Sequence, residues 1–221
     1  MSVNRPRVIS RSTTQPRFAE RRSAQIAMAV VATGGFVALA RILEFDRPPR
    51  MDRRIRQLAR RSSMDGARLV LAPLFPIGLP ATYITIAHAM SYWLHRRGKR
   101  GGPAIVSAAW LGWLSHRIIK LGYRRERPLR RDVARRTESY PSGHTTGTTA
   151  LAVTLAEMLR REGIISTKGA AAIALGAPAL MGAYRVIADD HWATDVVGGW
   201  MLGGAIALAC VGASHQHDEL R

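Results

Sequence analysis

Cysteine is almost missing from this chain of 221 residues: Cys210 stands alone, which excludes a disulfide scaffold and a cysteine-rich zinc module. Lysine is nearly as scarce. Lys99, Lys120 and Lys168 are the only lysines among 33 basic residues, so the basic character is almost wholly arginine. Acidic residues number 15, leaving a net charge of +18, and they supply no clustered carboxylate ligand set. Aromatic residues make up 6% and do not interleave with the arginines, which weakens a nucleic-acid reading of the charge. There is no internal repeat and no low-complexity tract. What is plentiful is apolar surface. At 47% hydrophobic residues the chain is not disordered, and its mean hydropathy of −0.04 averages over arginine blocks and the apolar runs between them.

Six uncharged or nearly uncharged apolar runs stand out: Ala24–Ala40, Leu69–Leu94, Gly102–Ser115, His144–Ala156, Gly169–Tyr184 and Val196–Ala213. A helix needs ~20 mostly apolar residues to cross the hydrocarbon layer. The first, second and sixth runs meet that requirement, and the others reach it if their polar extensions face a protein-lined interior. Gly199 and Gly203 give a small-xxx-small spacing suited to close helix approach. The expected fold is therefore all-α: a polytopic membrane bundle of about six transmembrane helices. Between the first two runs, Pro48–Arg61 reads as an amphipathic interfacial helix, with Met51, Ile55 and Leu58 at i, i+4, i+7 and most arginines off that stripe. Residues 1–22 carry six arginines among Ser, Thr and Pro and read as a flexible basic tail. The first run is expected to be an uncleaved membrane helix, since its apolar stretch continues through Ile42, Leu43 and Phe45. The bundle domain is expected over residues 23–214, followed by a short tail, 215–221.

Three blocks between Lys120 and Asp195 carry chemistry. In the first, Lys120, Arg124 and Arg127 recur at i, i+4, i+7, a cationic face if the helix runs on to Pro128. Forked arginine donors suit an oxyanion such as phosphate. In the second, Pro141-Ser142-Gly143-His144 precedes an apolar helical run, so free N–H groups, a serine hydroxyl and a glycine meet at a helix start, an anion site with His144 at its mouth. In the third, His191 and Asp195 are four apart, so the carboxylate can accept from imidazole Nδ1–H and leave Nε2 as a nucleophile. Asp189 and Asp190 are expected to cap that helix and take no part in chemistry. Two histidines with several cations and no carboxylate cluster describe phosphoryl transfer through a phosphohistidine, without a metal.

Together the blocks resemble the type 2 phosphatidic acid phosphatase superfamily, whose signature runs K-x6-R-P, P-S-G-H and S-R-x5-H-x3-D. Here these read Lys120 to Arg127-Pro128, then Pro141 to His144, then Tyr184-Arg185 to His191 and Asp195. Tyr184 departs from the family's serine, so one phosphate contact is replaced or missing. The resemblance implies His191 as nucleophile, Asp195 as its orienting partner and His144 as general acid. It implies a phosphate clamp of Lys120, Arg127, Ser142, Gly143 and Arg185, with no metal and no cofactor. Arg124 and Arg125 match no signature position and receive no role. The implied substrate is a lipid phosphate or isoprenyl (di)phosphate, with membrane lipids as further partners and no nucleic acid. The implied location is a bacterial inner membrane with the site extracytoplasmic. Against that orientation, only 14 of the 33 basic residues fall on the side of the termini. Two rival readings are a vanadate-binding haloperoxidase, whose family members are soluble and larger, and a non-catalytic arginine-rich protein binding anionic lipid.

Overall fold

The computed structural model describes residues 15–43, 48–61, 64–128 and 138–219. Its helices are α1 (Gln15–Leu43), α2 (Arg50–Ala59), α3 (Asp65–Leu71), α4 (Pro80–Arg96), α5 (Gly102–Gly122), α6 (Gly143–Arg161), α7 (Thr167–Ile187) and α8 (Ala193–Glu219). The described residues contain no strand; one isolated bridge pairs Arg125 with Glu138. Among the described residues, three segments are long and apolar enough to cross a membrane: Ser23–Leu43, Thr167–Ile187 and Ala193–Ser214. α1 begins inside the expected basic tail, whose residues 1–14 lie outside the described ones. α8 runs into the expected C-terminal tail as far as Glu219.

The second apolar run does not form one helix. It divides into α3, two single 3₁₀ turns (Ala72–Leu74 and Pro76–Gly78) and α4. Pro73, Pro76 and Pro80 explain the division: each lacks an N–H and disfavours helix in the residue before it. Pro80 sits in the first turn of α4, where the missing donor costs nothing.

α6 is the central helix, packed against α5, α7 and α8. Its buried face is rich in threonine, and two of these hydroxyls bond back to the chain one turn earlier: Thr146 Oγ1 donates to Ser142 O (2.9 Å) and Thr149 Oγ1 to Thr145 O (2.7 Å). Gly199 and Gly203 of α8 face this helix. A Cβ at Gly203 would lie 2.5 Å from Thr146 O, and one at Gly199 would lie 3.0 Å from Ser142 O, so the small-residue spacing sets the approach of α8 to α6. A core of Tyr83, Leu94, Ile105, Leu151 and Leu159 joins α4, α5 and α6. α1 packs along α8 and is tied to the site end by Tyr123 OH, which donates to Ala40 O (2.8 Å). The consequence is that the end of α5, the start of α6, the end of α7 and the start of α8 all meet at one end of the bundle.

α2 is amphipathic, as its spacing predicts, but its inner face is the polar one. Met51 and Leu58 are exposed, whereas Asp52 is buried against the starts of α8 and the segment after α5. Met51 and Leu58 of the apolar stripe thus face outward, with Ile55 half-buried beside them, as suits an interfacial helix.

Candidate active site

α5 ends at Gly122, so Lys120, Arg124 and Arg127 do not share a helical face. Lys120 approaches from the last turn of α5, while Arg127 reaches the same place from the extended segment that follows. Both donate to Glu138 O, from Lys120 Nζ at 2.8 Å and Arg127 Nη2 at 3.1 Å. Arg124 points to solvent. Arg125, its neighbour, is buried and turns into the structure.

The second block opens α6. Ser142 precedes the helix with its N–H on Asp195 O (3.0 Å), which ties this turn to the start of α8. Gly143 is the first helical residue, and a Cβ there would come within 2.7 Å of His116 Nε2. The N–H groups of this first turn are not used by the helix itself. His144 projects beside them with a buried Nε2 that has no hydrogen-bond partner. Its ring lies against Phe75, centroids 5.1 Å apart, and against Gly78, where a Cβ would sit 2.4 Å from His144 Cδ2. The broken second run therefore packs its 3₁₀ turns over the histidine. Arg185, on the last turn of α7, also lies over the Phe75 ring (5.5 Å); its Nε and Nη1 are buried without hydrogen bonds, with Asp190 3.2 Å from Nη1.

His191 precedes α8 and is not inside it. The pair with Asp195 forms because the chain turns at Trp192, whose N–H donates to Asp195 Oδ2 (2.9 Å). His191 Nδ1 is 3.3 Å from Asp195 Oδ2, and Arg127 Nη1 is 3.3 Å from His191 Nε2. A guanidinium only donates, so Nε2 is the acceptor and Nδ1 carries the proton. Burial, reinforced by Arg127, Arg185 and Lys120, holds the His191 imidazole well below its ordinary pKa, and it stays neutral. The charges of Arg185, Lys120 and Arg127 bear on His144 as well. All eight residues singled out from the sequence are thus brought to one end of the bundle. Tyr184 stands half-buried next to Arg185.

Asp189 and Asp190 do not cap α8. Asp189, in the left-handed region at φ 60°, is gripped by Arg56 of α2 (2.7 and 3.0 Å), and Arg68 of α3 donates to Ala188 O (2.8 Å). The cap on Thr194 N comes instead from Asp52 of α2, at 3.0 Å. Sequence reasoning also missed Arg125, Ser139 and Phe75. The available signals were faint: Asp52 is the one acid among the arginines of 47–61, and three prolines mark where the second run breaks. Among the described residues no group of three or more His, Cys, Asp or Glu side chains could hold a metal ion.

These blocks gather two histidines, a lysine and buried arginines at one end of an α-helical bundle, and the apolar helices mark an integral membrane protein. The chain belongs to the PAP2 superfamily, whose profile matches residues 23–218. It is 37% identical over 106 residues to the decaprenylphosphoryl-5-phosphoribose phosphatase of Mycolicibacterium smegmatis. That match covers 46% of this chain and 53% of the relative, about half its length. A crystal structure of a transmembrane PAP2 type phosphatidylglycerolphosphate phosphatase from Bacillus subtilis shares the fold. Its TM-score is 0.69 at 19% identity, covering 87% of this chain and 98% of that one.

Proposed function

We propose that this protein is a metal-independent lipid phosphate phosphatase that works through a phosphohistidine. The observation that carries the reading is the Nε2 of His191. It is unprotonated, 3.3 Å from the Arg127 guanidinium, and held by Asp195 through the opposite nitrogen.

The phosphate is bound by Lys120, Arg127, Arg185, the Ser142 hydroxyl and the free N–H groups at Gly143. The Nε2 lone pair attacks phosphorus, an N–P bond forms, and the bond from phosphorus to the lipid oxygen breaks. His144 donates the proton that turns this oxygen into an alcohol. Asp195 accepts from Nδ1–H throughout and stabilises the charge that the imidazole gains. In the second half, His144 takes a proton from water as it attacks phosphorus, the N–P bond breaks, and inorganic phosphate leaves. The bundle is read as six membrane-crossing helices, α1 and α4–α8, in a bacterial inner membrane with the site facing outward. The substrate is a lipid phosphate or isoprenyl diphosphate, in keeping with the prenyl-linked phosphosugar and the phosphatidylglycerolphosphate in the names of the two relatives.

The test is phosphate release by purified protein in detergent from a panel of phosphatidic acid, phosphatidylglycerol phosphate, isoprenyl mono- and diphosphates and phosphorylated glycolipids. Turnover of at least one of these, undiminished by EDTA and blocked by vanadate, is the expected result. Activity lost on chelation and restored by magnesium would contradict the mechanism.

A further inference from the structure

Asp195 is fully buried, and its carboxylate receives a dense set of donors: His191 Nδ1, Trp192 N, the Ser139 hydroxyl and the Arg125 guanidinium. Arg125 is itself buried and sits close to the Trp192 ring (5.9 Å). A buried arginine directly on the orienting carboxylate creates a difficulty. The pair would be electrically neutral, and a neutral pair does little to stabilise the positive charge that His191 gains on attack.

The structure contains the remedy. The second amino group of Arg125, Nη2, donates to Asp52 Oδ2 at 2.7 Å, and Asp52 is also fully buried. Asp52 is fixed to the start of α8 by Thr194, whose N–H reaches Oδ1 at 3.0 Å and whose hydroxyl reaches Oδ2 at 2.6 Å. The Thr194 hydroxyl in turn accepts from Arg125 Nη1 at 2.8 Å. Asp52, Arg125 and Asp195 thus form one buried row ending on His191 Nδ1. The row carries one net negative charge, with the cation in the middle.

We propose that Asp52, on the interfacial helix α2, is a positioning residue for the reaction. It balances Arg125, so that Arg125 can hold Asp195 rigidly without cancelling the negative charge that Asp195 offers to His191. The proposal rests on the functional reading given above. Arg125 supplies geometry, Asp52 restores the field, and neither touches phosphate. Because Asp52 comes from α2, the charge at the nucleophile depends on a helix whose Met51 and Leu58 face outward from the bundle.

The test is a charge-rescue series measured as the rate of phosphoenzyme formation in a single turnover, with the half-saturating substrate concentration measured alongside. Asp52→Asn leaves the row neutral. It should slow formation about ten- to hundredfold with little change in half-saturation, because the phosphate clamp is intact. Adding Arg125→Gln returns the row to one net negative charge and leaves an amide pair that can still hydrogen-bond. The double variant should therefore be faster than Asp52→Asn alone. Two lost structural contacts would instead give two losses that add. If Asp52→Asn does not fold, the double variant is compared with wild type, and it should stay within about tenfold. A double variant as slow as the single, or slower than wild type by far more than that, overturns the role of Asp52, provided His191→Ala is inert. A phosphoenzyme that forms in His191→Ala overturns the functional reading itself.

Discussion

The two histidines of the site have different surroundings, and these predict different behaviour. His191 is buried among cations that keep it neutral. In the unfolded chain its imidazole takes up a proton below about pH 6.5, whereas the folded site resists that proton. The folded state therefore loses this part of its stability as pH falls from about 6.5 toward the lowered native value. The melting temperature should drop with acidification, and drop less steeply in His191→Gln. For the same reason the acid limb of kcat/KM should lie below the range of an ordinary histidine. His144 owes its position to packing, with Phe75 on its ring and Gly78 against its Cδ2 and Cβ. Gly78→Ala places a methyl group in that contact and displaces the proposed acid. A lipid alcohol leaves poorly without a proton, so phosphoenzyme formation from a lipid substrate should fall by ~10²-fold or more. From p-nitrophenyl phosphate, whose aryl oxygen leaves as an anion, the fall should be much smaller. Equal losses on both substrates would mean that His144 binds phosphate and does not supply the proton.

At the level of elements, the contact between α8 and α6 holds Ser142 and Asp195 in register, through the bond from Ser142 N to Asp195 O. Gly203 permits that contact, since a Cβ there meets backbone atoms, Thr146 O at 2.5 Å and Ala150 N at 3.1 Å. Backbone cannot rotate out of the way. Gly203→Ala should destabilise the protein by about 1–3 kcal/mol, read as a lower melting temperature in detergent, whereas Gly204→Ala, in open space, should not. Legibility from sequence follows the same division between local and distant causes. The Gly199–Gly203 spacing and the His191–Asp195 pair were legible because both are set within a single turn of chain. Arg125 was not, because whether it or Arg124 points inward depends on α5 ending at Gly122 and not at Pro128. Asp52 was not, because its burial depends on α2 docking onto Arg125 and Thr194, both far along the chain. The break in the second run was written in Pro73, Pro76 and Pro80, but apolar length concealed it.

For the whole molecule, the six long helices alternate in direction, so every block of the signature arrives at one end while Arg96, Arg97, Lys99, Arg100, Arg160 and Arg161 gather at the other. In the proposed mechanism, that shared end lets a nucleophile, an acid and a clamp from the ends of four helices and their adjoining segments act on one phosphate. In that mechanism His191 becomes covalently phosphorylated. This step is tested most directly by rapid acid and base quenching of purified protein with substrate labelled in the phosphate. Wild type should yield a phosphoenzyme that survives base and decays in acid, and His191→Ala should yield none. A base-labile adduct in wild type, or a phosphoenzyme that persists in His191→Ala, would place the nucleophile elsewhere.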